Sequence, residues 1–91
     1  MKVIVLYRPD SEHARAVEEF IHDLQRQHNI DASNLDVLNV DSRDGSATAS
    51  LYDVMSYPTV LVVQGDGSLI KSWDGGGLPM MNEVAGYTFA H

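Results

Sequence analysis

Side chains able to do chemistry gather in one short stretch: the phenol of Tyr7, the hydroxyl of Ser11, the imidazole of His13 and the carboxylates of Asp10 and Glu12. A serine becomes a nucleophile when a base within hydrogen-bond reach takes its proton, so Ser11 with His13 is the arrangement to test first. Its spacing speaks against that use, because residues two apart on a helix do not face each other and a helical His13 points away from Ser11. Ser11 or Asp10 reads instead as a helix cap, accepting from a free backbone N–H, and Glu12 suits the positive end of the helix dipole. The same carboxylates repel any second anion from that helix end.

Other constellations are weaker. His22 has Glu18 and Glu19 one turn away, too few ligands for a closed metal site, and His13, His28 and His91 add no ligand spacing. Solvated helix positions account for all four histidines, and no metal or other cofactor is implied. Met55, Met80 and Met81 with Trp73 and Tyr57 would form an adaptable apolar surface, but at helical spacing such residues read as core. Gly75-Gly76-Gly77 lacks the Lys and Ser/Thr that complete a phosphate loop. The chain has no cysteine, which removes disulfides and thiol catalysis and points toward the cytosol.

A length of 91 residues supports one domain over residues 1–91. With 13 acidic against 6 basic side chains the formal charge is −7, which repels nucleic acid and anionic lipid alike. The run Val3-Ile4-Val5-Leu6 is too short for a signal-peptide core, and no segment approaches membrane-spanning length. The expected location is cytoplasmic.

The elements that must position these residues follow from periodicity. Residues 3–7 form a continuous apolar run that suits a central strand covered on both faces. From Ser11 to about His28, Ala14, Val17, Phe20, Ile21 and Leu24 recur at three- and four-residue spacing, while Arg15, Glu18, Glu19, Asp23 and Arg26 take the other face. Residues 28–34 read as a turn and 35–40 as a strand, with another turn over 41–45. Residues 46–55 predict a short helix with Ala47, Leu51, Tyr52 and Met55 on its apolar face, capped by Asp44 or Ser46. Thr59-Val60-Leu61-Val62-Val63 is the strongest β-run. Gly65-Asp66-Gly67 turns it into a hairpin with residues 68–73, and Pro79 opens a final helix holding Met80, Met81, Val84, Ala85 and Tyr87.

The order β-α-β-α-β-β-α, together with Ser11-Glu12-His13-Ala14 after the first strand, Leu38-Asn39-Val40-Asp41, Tyr57-Pro58-Thr59 before an apolar run, and Trp73-Asp74-Gly75, resembles the thioredoxin superfamily over nearly the whole chain. The resemblance implies a minimal thioredoxin-like α/β fold, with a four-stranded mixed sheet and helices on both faces. It also implies a cis Pro58 whose loop packs near Ser11. The departures are chemical. Ser11 and Ala14 stand where the family has its two cysteines, Val5 where redox-active members have a buried carboxylate, and Asp10 where an aromatic usually precedes the first cysteine. Disulfide exchange needs a thiolate and a sulfur leaving group, and this sequence supplies neither.

The resulting expectation is a redox-inactive domain, not an oxidoreductase, that binds a protein or extended peptide in a groove of Arg8, Asp10, Ser11, Glu12, His13, Ser56, Tyr57 and Pro58. Alternatives are a non-thiol enzyme using Ser11, His13 and Tyr7 in the same groove, or a protein-interaction regulator resembling the KaiB-type clock proteins. The strands at 35–40 and 68–73 should be sheet edges, through which a monomer could pair weakly with a second copy.

Overall fold

Two segments of the chain have no polar face, and the rest of the fold is arranged to cover them. A computed structural model describes residues 1–27, 30, 32–74, 78–79, 83–84 and 86–87. In it β1 (Lys2–Tyr7) is buried from its second residue onward and β3 (Thr59–Val63) along its whole length. The two pair antiparallel at the centre of a four-stranded sheet, with Lys2 opposite Val63 and Leu6 opposite Thr59. β2 (Leu35–Asn39) pairs parallel with β1 at one edge, and β4 (Leu69–Trp73) antiparallel with β3 at the other, giving the order β2-β1-β3-β4.

Alternation along the central strands divides the core into two layers. On one face Val3, Val5, Tyr7, Val60 and Val62 meet Ala14, Val17, Phe20 and Leu24 of α1 (Ala14–Gln27), with Val84 joining them. On the other, Ile4, Leu6, Leu61 and Val63 meet Ala49 of α2 (Arg43–Leu51), Val40 and Val54. Burying each such aliphatic side chain contributes about 1.5–3 kcal/mol. This is the expected α/β arrangement: a mixed four-stranded sheet with a helix on each face.

The helix boundaries differ from those read in the sequence. α1 begins at Ala14, three residues later than Ser11. α2 begins at Arg43, three residues earlier than Ser46, and is capped by Ser42, whose Oγ accepts from the Gly45 N–H at 3.0 Å. Gly45 had read as part of a turn; it lies inside the helix because the helix passes against the end of β2. A Cβ built there would sit 1.8 Å from the Asn39 carbonyl oxygen. α2 ends at Leu51, and Asp53 follows with φ 55°, a left-handed conformation that Asp tolerates. The change of phase rotates the helix, so Gly45 and Ala49 are buried while Ala47 and Leu51 face outward; Met55 lies past the helix end and is exposed, and all three are thereby corrected from their assignment to the core.

The β3–β4 hairpin turns through Gly67 at φ 91°. There Asp66 Oδ1 accepts from the Ser68 N–H (2.9 Å) and hydroxyl (2.6 Å), which holds the Asp66 carboxyl below its usual range. Glu83, Val84, Gly86 and Tyr87 are helical, Val84 is fully buried and Tyr87 meets Trp73 edge-on at 5.7 Å. His28, His91, Gly75, Gly76, Gly77, Met80, Met81 and Ala85 lie outside the described residues.

Replacing Gly45 with Ala separates helix propensity from packing. Propensity alone would favour Ala by up to about 1 kcal/mol. The clash with a backbone oxygen costs about 3 kcal/mol and should win, so denaturant melts of Gly45→Ala are expected to show a net loss of about 2 kcal/mol.

Candidate functional site

The antiparallel register brings the C-terminal end of β1 and the N-terminal end of β3 to the same edge of the molecule, because Leu6 faces Thr59. Residues 7–8 and 57–58 therefore leave the sheet side by side. The Tyr57–Pro58 peptide is cis. Behind it Thr59, almost fully buried, donates from Oγ1 to the Ser56 carbonyl at 2.6 Å. Tyr57 packs partly against the α2-side core.

Arg8 joins the loops at this end. Its guanidinium donates from Nε to Asp41 Oδ2 (3.0 Å) and from Nη2 to Asp41 Oδ1 (3.3 Å), and lies 5.9 Å from the centre of the Tyr57 ring. One planar side chain thus touches the approach to α2 and the Pro58 loop together. Both members of the ion pair are about half exposed, so its net worth is about 1 kcal/mol at most.

The Arg8 backbone organises the segment that follows. Its carbonyl accepts from the Ser11 N–H (3.1 Å) and hydroxyl, and its N–H donates to His13 Nε2 at 3.2 Å. Residues 10–13 are consequently a turn, and the first α1 residue bonds from the Ala14 N–H to the Ser11 carbonyl (3.2 Å). This corrects the reading of Ser11 as a helix cap and of Glu12 as a first-turn residue. The side chains of Ser11 and His13 both reach back to Arg8, and neither bonds to the other. A hydroxyl that donates to a carbonyl has no base to take its proton, so the pair lacks the geometry of an activated nucleophile. Asp10 and Glu12 are exposed on the same turn.

One interaction at this end had no place in the sequence reading. Glu18, assigned to the solvent face of α1, accepts from the Tyr7 hydroxyl at 3.0 Å. Its position next to Val17 on the edge of the apolar stripe was the available signal. Burial of Tyr7, then the Glu18 hydrogen bond and charge, raise the phenol above its usual 10.0. His22 Nδ1 lies 3.9 Å from Asp23 Oδ1 rather than on Glu18 or Glu19, and among the described residues no three His, Asp or Glu side chains converge on one point.

No family profile matches the sequence, and no curated protein resembles it at the sequence level. Solved structures do match in three dimensions. Thioredoxin 1 from the thermophilic eubacterium Thermosipho africanus superposes with a TM-score of 0.67 at 18% identity, over 97% of this chain and 90% of that one. A malarial protein gives 0.64 at 18% identity over 100% and 98%. The germline-specific thioredoxin Deadhead from Drosophila melanogaster gives 0.60 at 22% identity over 96% and 78%. The chain has a thioredoxin-like fold. Within it, the positions that the resemblance gives to the two cysteines hold Ser11, bonded to a backbone carbonyl, and Ala14, which is buried. The position of the buried carboxylate holds the fully buried Val5. This thioredoxin-like end therefore keeps its loops and lacks the sulfur chemistry.

The raised Tyr7 value carries a sign. A folded-state pKa above the unfolded one stabilises the protein fully below about pH 10, and that contribution is lost as pH rises through the folded value. Tyr7→Phe should cost about 1 kcal/mol at neutral pH through the lost hydrogen bond. Melting curves taken from pH 8 to about pH 11 should then show a shallower alkaline decline than the wild type.

Proposed function

We propose that this chain is a redox-inactive, thioredoxin-like binding module of the cytoplasm that holds an extended peptide segment of a partner protein. Its groove is bounded by Arg8, Asp10, Ser11, Glu12 and His13 on one bank and Ser56, Tyr57 and Pro58 on the other. The observation that carries this reading is the state of Tyr57. Among the described residues neither its backbone N–H nor its C=O has a hydrogen-bond partner, while the adjacent Ser56 carbonyl is taken by Thr59. An unpaired donor and acceptor on one residue beside a strand end form a site for an added strand, where main-chain hydrogen bonds supply affinity. The inward bonding of Ser11 and His13 favours binding over non-thiol catalysis. No helix among the described residues is long and apolar enough to cross a membrane.

Titration of the labelled protein with extended peptides tests the reading. Amide signals of Tyr57 and of residues 8–13 should move and saturate, while insulin reduction stays blank. Arg8→Ala, which unties the two banks, should weaken binding about tenfold, equivalent to about 1.4 kcal/mol. Turnover of a small ester or amide analogue, with the same amides unmoved by every peptide, would favour the enzyme alternative instead.

A further inference from the structure

At the end of the sheet away from Arg8 and Pro58, α2 leaves part of its own face uncovered. The register sets Ile4 opposite Asp36 and Lys2 opposite Val63, so these four side chains share the α2 face at the start of β1. The six residues of β1 span about 20 Å, whereas the nine of α2, packed beside Asn39 at the Tyr7 end, span about 14 Å. Tyr52, the residue after the helix, reaches the β3–β4 turn, where its hydroxyl donates to the Gly67 carbonyl at 2.6 Å. Between them lies a hollow of about 320 Å3, with the buried Ile4 and Val63 as its floor, the half-buried Tyr52 as a wall and the exposed Asn34 and Gln64 at its rim. That volume is at the lower end of small-molecule sites, about 300–1,000 Å3.

We infer that this hollow binds a neutral, planar heteroaromatic molecule with a hydrogen-bond donor and acceptor side by side on its edge, the chemistry of a purine base or nucleoside. The ring system covers Ile4 and Val63 and meets the Tyr52 ring, removing apolar surface from water. Among the described residues neither the Asn34 nor the Gln64 carboxamide has a hydrogen-bond partner, and each carries two N–H donors beside a carbonyl acceptor. Such a group pairs bidentately with a donor–acceptor edge, as Asn and Gln do with adenine. A charged ligand is disfavoured. Lys2 Nζ lies 3.3 Å from Asp36 Oδ2, so that cation is already matched, and the chain's charge of −7 repels phosphate.

Amide-shift titration with adenosine, adenosine 5′-monophosphate and benzyl alcohol decides the matter. Adenosine should move the signals of Lys2, Asn34, Gln64 and Gly65 saturably and leave those of residues 8–13 and Tyr57 in place. The monophosphate should bind several-fold weaker at low salt, and benzyl alcohol, which has the ring without the donor–acceptor edge, about tenfold weaker. The double variant Asn34→Ala, Gln64→Ala changes two exposed side chains; it should melt as the wild type does and lose adenosine affinity about tenfold. No saturable shift with adenosine, or shifts confined to residues 8–13 and Tyr57, would overturn the inference. A monophosphate that binds as tightly as adenosine would refute the neutral class, and equal binding of benzyl alcohol, or an unweakened double variant, would refute recognition by the carboxamides. Peptide binding is read at the opposite end of β1, so either result leaves the proposed peptide groove standing or falling on its own titration.

Discussion

Burial of β1 and β3 on both faces is the constraint from which the remaining features follow. Strands without a polar face must be sandwiched, so α1 lies over one side and α2 over the other, and the edges fall to β2 and β4. Their mutual register does more than fill the core. Because slipping an antiparallel pair by one residue would turn every side chain to the opposite layer, the pairing of Leu6 with Thr59 is strongly specified. That pairing sets Arg8 and Pro58 at one end of the sheet, and it does so with apolar packing alone.

At that end the bonding has been redirected rather than removed. Ser11 and His13, residue types suited to nucleophile and base, both spend their hydrogen bonds on the Arg8 backbone, and the Arg8 side chain spends its own on Asp41 and the Tyr57 ring. These contacts are individually small, since the groups are exposed and screened by water. Together they position two loops around a residue, Tyr57, whose own backbone is unpaired among the described residues. That open main-chain donor and acceptor is what the proposed strand-binding role rests on, and the absence of cysteine removes thiol–disulfide exchange.

Helix phase marks the limit of sequence reading in this chain. The stripe at 14, 17, 20 and 24 was correct for α1 because a fourteen-residue helix carries four turns of pattern. The nine residues of α2 carry about two and a half turns, and two phases fitted: one burying Ala47, Leu51 and Met55, the other Gly45 and Ala49. Gly45 argued for a turn on local grounds, yet it serves close packing against Asn39. That choice decides whether Leu51 belongs to the core or to the solvent-facing side of the helix. Likewise Ser11 had the composition of a cap, and the strand-end carbonyl of Arg8 competed successfully for its hydroxyl.

The amino-acid order on its own settled the succession of strands and helices, the central place of the two apolar runs and the exclusion of thiol exchange, because these depend on local periodicity and on which atoms are present. Folding in three dimensions decided the start of α1, the exposed face of α2, the partnership of Tyr7 with Glu18 and the bridge from Arg8 to Asp41, 33 positions away. Such contacts join residues whose nearness is created only when the sheet register and the helix packing are set, and at most a position on the edge of an apolar stripe, as for Glu18, hints at them locally.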